Sequence, residues 1–205
     1  MDAVPLEMHA RRVWVRGTAI RPVPSYAKVA ESALDRVRRN LSDDDDAVRG
    51  QLDEAFDRFE REQPALAAHV GDVLSSPLDE TALALGYFLT LVVWMSFERA
   101  HDSYLDEVTA ESIQATEELL ELDEQLRRKD PAEALDTDDV IAMEQPSLLE
   151  FVHEHLDATL EAHAEDVDVD DVHAVYRLVL VEILALSYAV RKPAGYPVAK
   201  TEMLA

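Results

Sequence analysis

The seventeen residues from Thr81 to Phe97, TALALGYFLTLVVWMSF, carry no charge in a chain where 30% of residues are Asp, Glu, Lys or Arg. A helix that is apolar around its whole circumference must be surrounded by protein or by lipid. Seventeen residues is the lower edge of what a bilayer needs. The stretch contains Gly86, Thr90 and Ser96, and no basic flanks orient it. The expectation is a helix over about 78–105 that is buried in protein, with no membrane involved. A second run, Val172 to Val190, is apolar nearly all round, broken only by His173, Arg177 and Glu182. The fold expected is all-α: a single-domain helical bundle of seven to eight helices around two apolar rods, about 78–105 and 171–191.

The rest of the chain reads as wrapping. Proline punctuates it, with none between 77 and 131 or between 146 and 193, so helices are interrupted at prolines rather than kinked by them. Residues 1–24 form an irregular basic arm with Pro5, Pro22, Pro24 and the strand-like Val13-Trp14-Val15, expected to lie on the acidic body or on a neighbouring subunit. Ser25 is placed to cap a helix with Val29, Ala33, Leu34, Val37 and Leu41 on its inner stripe. Ser42 followed by Asp43 to Asp46 reads as a helix N-terminus rather than a calcium loop, since it lacks the alternating ligands and glycine turn of one. Pro64 and Pro146 stand at helix starts. From Thr109 a polar helix is expected to turn Ile113, Leu119, Leu120 and Leu126 inward. The bundle domain is expected over 25–191, with a loose tail at 192–205 that Tyr196 pins.

Two stretches repeat. Glu62-Gln63-Pro64-Ala65-Leu66 matches Glu144-Gln145-Pro146-Ser147-Leu148 at an offset of 82, and Tyr87, Leu89 and Leu91 match Tyr176, Leu178 and Leu180 at an offset of 89. Each copy is an EQPxL start, a medium amphipathic helix and a long apolar helix. The expectation is an internal duplication, with halves at about 43–105 and 138–191 related by a pseudo-twofold that packs the two rods together.

Charge narrows the possible partners. Residues 1–41 carry 8 Lys/Arg against 4 Asp/Glu, whereas the remainder carries 11 against 39. Such a body repels nucleic-acid phosphate and leaves cations or a basic protein as partners. The absence of Cys excludes disulfides and thiolate chemistry. MDAVPLEMHARR holds no apolar run behind a basic stretch, so the expectation is a cytoplasmic chain without a signal peptide.

Few constellations could carry chemistry. Glu98-x-x-His101 and Glu150-x-x-His153 each place a carboxylate and an imidazole one helical turn apart. Ferritin-like bundles hold iron or manganese with two such pairs plus carboxylates from two further helices, here Glu60 or Glu62 and one of Glu117, Glu118 or Glu121. Against that, the inner stripe of the helix after Pro146 is Leu149, Val152 and Leu156, which turns Glu150, His153 and Asp157 outward. Glu182, between Val181 and Ile183, is a polar intrusion into an apolar helix. It is expected to have an Arg, Tyr or His partner, or else to be a pocket acid with a raised pKa. Phosphate-cradling loops and dinucleotide fingerprints are missing from the sequence.

The function expected is therefore non-enzymatic, a soluble helical scaffold or interaction protein that self-associates as a dimer. The aromatics Tyr87, Phe88, Trp94 and Phe97 on the central helix exceed what one short partner helix would cover. Two other readings stand beside it. One is a di-metal carboxylate bundle using Glu98, His101, Glu150 and His153, and the other is an acidic protein that binds a basic partner.

Overall fold

The structure, a computed structural model, describes residues 18–41, 45–129, 137–163 and 167–196. Among these the fold is all-α, with eight α-helices and no strand beyond one isolated bridge. They are α1 Glu31–Asn40, α2 Asp45–Glu62, α3 Pro64–Leu74, α4 Glu80–His101, α5 Ala110–Lys129, α6 Thr137–Glu144, α7 Pro146–Ala162 and α8 Val169–Ala189. The Val13-Trp14-Val15 run, Ser42 with Asp43 and Asp44, and the tail from 197 lie outside the described residues, while α2 begins at Asp45.

α4 and α8 are the centre, and they run parallel. At their N-termini Asp79 caps α4 by accepting from Ala82 N at 2.8 Å, while its other oxygen accepts from Asp168 N at 3.0 Å. Asp171 in turn accepts from Asp79 N at 2.8 Å. At the C-terminal ends Leu105 and Val190 form an antiparallel bridge, fixed by Asp106 N to Ala189 O at 3.0 Å and Arg191 N to Tyr104 O at 2.7 Å. Parallel helices place like dipole ends together, which is unfavourable, and the three aspartates offset this at the positive end. The Ala82 N–H, the largest influence on it, holds the Asp79 carboxyl below its usual range.

A third of the way along, Gly86 faces Val175 so closely that a Cβ at Gly86 would stand 3.1 Å from Val175 Cγ2 and 2.7 Å from Leu74 Cδ2. Around this pair α1, α2 and α7 pack on α4, α5 packs on α8, and α3 touches both. Both rods are long and apolar enough to cross a membrane by length and composition, but most of each apolar window (61% and 67%) is buried within the chain.

The arm and tail segments that are described close the outside. Asp123, buried on α5, accepts from Thr18 Oγ1 and from Ala19 N, each at 2.8 Å, and Ile20 and Val23 are buried. Arg21 lies over the Tyr188 ring at 4.5 Å while its carbonyl accepts from the Tyr188 hydroxyl. Tyr196 meets Tyr26 edge-on at 5.3 Å and shares a 3.0 Å hydrogen bond with Ser25.

Three local expectations are corrected. Ser25–Ala27 is a single 3-10 turn and α1 begins only at Glu31, behind an N-cap, Ala30, that has no side chain to cap with. The intervening backbone is held extended because Gln145 takes Val29 N–H on Oε1 at 2.9 Å and donates Nε2 to Ala27 O at 3.0 Å. On α5 the buried stripe is Ile113, Thr116, Leu120 and Asp123, and Leu126 faces outward because the arm packs over Asp123 instead. The α4 aromatics are covered inside the chain. Trp94 and Phe97 are fully buried, Tyr87 packs on Phe56 at 5.7 Å, and Phe88 packs on Phe151 at 6.1 Å.

Candidate functional site

The C-terminal half of α4 gathers the chemistry. α1 and α2 both lean on it, and between them opens a cleft of about 670 Å³ with a floor of Val37, Leu41, Ala55 and Met95. Arg58 from α2 crosses the Trp94 ring at 5.5 Å and reaches Glu98 Oε2 at 3.3 Å. Phe59, one residue on, fixes the same tryptophan from the core at 5.3 Å. Trp94 Nε1 and Arg58 Nε are both shielded from water without a hydrogen-bond partner. Buried donors are nearly always satisfied, so two together mark an unusual spot.

Burial raises the Glu98 carboxyl above its ordinary value. The Arg58 guanidinium opposes the shift, and Glu62 and Asp102 reinforce it. α4 then ends abruptly. Asp102 adopts φ 42°, ψ −119°, and its N–H returns to Glu98 O. That conformation is costly for a side chain larger than glycine, and strain of this kind collects at functional sites.

A second cleft, about 490 Å³, lies on the other side of Arg99, between the N-terminal end of α1 and the C-terminal ends of α4 and α8. Lys28, Arg36, Arg99 and His101 line it together with Tyr26 and Tyr104, and among the described residues no Asp or Glu does. His101 Nε2 is buried without a partner. Desolvation lowers the His101 pKa and the Ala27 carbonyl opposes that shift, so the ring is neutral near pH 7.

The two Glu-x-x-His pairs do not meet. Phe151 contacts Phe88, which puts Glu150 and His153 at the level of Phe88, ten residues or about 15 Å along α4 from Glu98. Glu150 is exposed beside Arg38 and Glu154 in a groove against α1, and His153 Nε2 is engaged with the Tyr176 hydroxyl at 2.9 Å. Among the described residues no three His, Asp or Glu side chains are grouped to hold a metal ion. His155 packs as an aromatic against Phe151, ring centroids 4.2 Å apart.

Glu182 is completely buried, and neither carboxyl oxygen has a hydrogen-bond partner. Among the described residues the Arg, Tyr or His partner expected from the sequence is missing. It lies seven residues beyond Val175 on the same face of α8, and therefore on the seam with α4, away from both clefts. Desolvation alone drives its pKa well above the carboxylate range.

Sequence reasoning reached Glu98 and His101 but missed Arg36, Arg58, Arg99 and Asp102, which look like ordinary solvated residues along their helices. Comparison with protein-family models, with curated proteins and with solved structures returned no match.

Proposed function

We propose that the chain is a non-enzymatic helical interaction module that works by binding rather than by bond chemistry. The cleft between α1, α2 and α4 carries this reading. Its apolar floor and charged rim suit recognition, and its one half-buried acid, Glu98, is already committed to Arg58 at 3.3 Å. The working experiment pairs Arg58→Ala with a screen for bound ligands and proteins. Turnover of any substrate by the wild type, lost in Glu98→Gln, would overturn the reading.

Self-association belongs to the same proposal, on different support. With the α4 aromatics covered internally, the added interface falls to Leu122 and Leu126, one turn apart on α5 and 47% and 36% exposed. The ion pair between Arg177 and Glu124 sets this part of α5 beside the first half of α8. Leu83 and Val169, near the starts of the two rods, are exposed toward the same end. Two bodies at −24 repel one another, so association should strengthen as salt screens them. Sedimentation of wild type and Leu122→Glu/Leu126→Glu at low and high salt tests it, and a wild-type monomer under both conditions rejects it.

An internal duplication is also part of this reading. It is supported by the matching hydrogen bonds of Gln63 and Gln145, and by the level pairing of Asp79 with Asp168 and Gly86 with Val175, both at the 89-residue offset. Two related halves would present two related ends to partners.

A further inference from the structure

We infer that the cleft between the start of α1 and the ends of α4 and α8 is a binding site for a small multiply charged oxyanion, phosphoryl or carboxylate in chemistry. This goes beyond the interaction reading, which rests on the neighbouring cleft and on α5.

A chain at −24 repels anions at long range, so an anion can be held only where cationic groups are collected and acids are kept out. This cleft does both: Lys28, Arg36 and Arg99 line it beside the neutral His101, with no carboxylate among the described lining residues. Lys28 shares its charge with Glu144 at 3.5 Å. Arg36 and Arg99 are exposed and have no carboxylate within ion-pair distance among the described residues, so they carry the site. Guanidinium groups grip carboxylate and phosphoryl oxygens in pairs, which a single ammonium cannot do.

Two further features point the same way. α1 opens on the cleft without a capping side chain, since its N-cap is Ala30; Ala33 N–H turns back to Ala30 O at 2.8 Å, which leaves the Glu31 and Ser32 amides to an acceptor. Its second residue, Ser32, adds a hydroxyl to the lining. His101 Nε2, dry and without a protein partner, is the accepting nitrogen of a neutral ring whose N–H goes to the Ala27 carbonyl, and it suits the O–H of a partly protonated phosphoryl or carboxyl group. The volume, about 490 Å³, accommodates a small organic anion whose uncharged part rests between Tyr26 and Tyr104.

The test is calorimetric titration of the full chain with pyrophosphate and, separately, with citrate, each against sodium chloride of matched ionic strength. Saturable binding of one or both is expected, and the anion that saturates identifies the chemistry. Arg36→Gln and Arg99→Gln should each weaken it about tenfold. Arg128→Gln, on the far side of the bundle and 80% exposed, should leave it unchanged. Arg36 lies outside the neighbouring cleft, so its effect is not shared with partner binding there. Flat titrations with both anions, or equal losses in Arg36→Gln and Arg128→Gln, would overturn the assignment.

Discussion

Gln63 and Gln145 hold the same backbone conformation, φ −135°, ψ 57° and φ −134°, ψ 64°, and each clamps an extended segment by the same two bonds. Gln63 donates to Asp106 O at 3.1 Å and accepts from Val108 N at 2.7 Å. Gln145 donates to Ala27 O at 3.0 Å and accepts from Val29 N at 2.9 Å, and it also donates to Ser187 Oγ at 2.8 Å. In each case the segment leads into a helix that packs on a rod, α5 on α8 and α1 on α4. A primary amide is the one side chain that offers a donor and an acceptor side by side, the pattern an extended backbone presents.

Removing Gln145 leaves a buried N–H and a buried carbonyl unpaired, whereas removing Gln63 strands the buried Val108 N–H and a carbonyl, that of Asp106, on an exposed residue. Gln145→Ala should cost about 3 kcal/mol and Gln63→Ala about 2 kcal/mol, by urea unfolding. The order follows from the extra bond to Ser187. Equal stability of wild type and both variants would show that the clamps are incidental.

Gly86→Ala sets two effects against each other. Alanine gains about 1 kcal/mol in helix propensity. Its Cβ would meet Leu74 Cδ2, a flexible terminus that can turn away, and Val175 Cγ2 at 3.1 Å, on a β-branched chain that cannot. Overpacking of this sort costs about 1–3 kcal/mol, so a net loss of about 1 kcal/mol is expected. Val175→Ala in the same chain should make the Gly86→Ala step stabilising. If that step costs the same in both backgrounds, the rods do not touch there.

Asp102→Gly should stabilise the fold by about 1 kcal/mol, because glycine accepts φ 42° without a Cβ penalty. Stability and ligand binding should part company in this variant, since the Asp102 carboxylate lines the larger cleft. A loss of stability would mean that contacts of the carboxylate outweigh the strain.

The rods, and the helices opened by Pro64 and Pro146, were legible because apolar runs and N1 prolines are local signals. What was not legible depended on distant residues. The start of α1 is set by Gln145, far along the chain, and the inner stripe of α5 by Thr18 and Ala19, which turn Asp123 inward at the expense of Leu126. In the sequence Gln145 registered only as half of a repeat, although it acts as a clamp. Glu98 and His101 stood out by spacing, but no local signal named their neighbours. The arginine that answers Glu98 comes from α2, and no periodicity reveals which long side chain reaches across a groove.

Glu182 makes the sharpest prediction, because its place on the seam of the rods leaves it dry and unpaired. Its folded pKa lies well above the ordinary 4.5, so above pH 4.5 the folded state keeps a proton that the unfolded state releases. By linkage the unfolded chain then binds fewer protons, and stability falls as pH rises through that window. Glu182→Leu removes both the buried polar group and the slope. It should gain about 1–3 kcal/mol at neutral pH. Glu182→Gln should also lose the slope while keeping an unpaired amide, and so gain less. Urea unfolding at several pH values from 4.5 to 8 checks this. A stability difference between wild type and Glu182→Leu that stays constant over the range would mean that Glu182 keeps its charge in the fold, and that a partner reaches it across the seam.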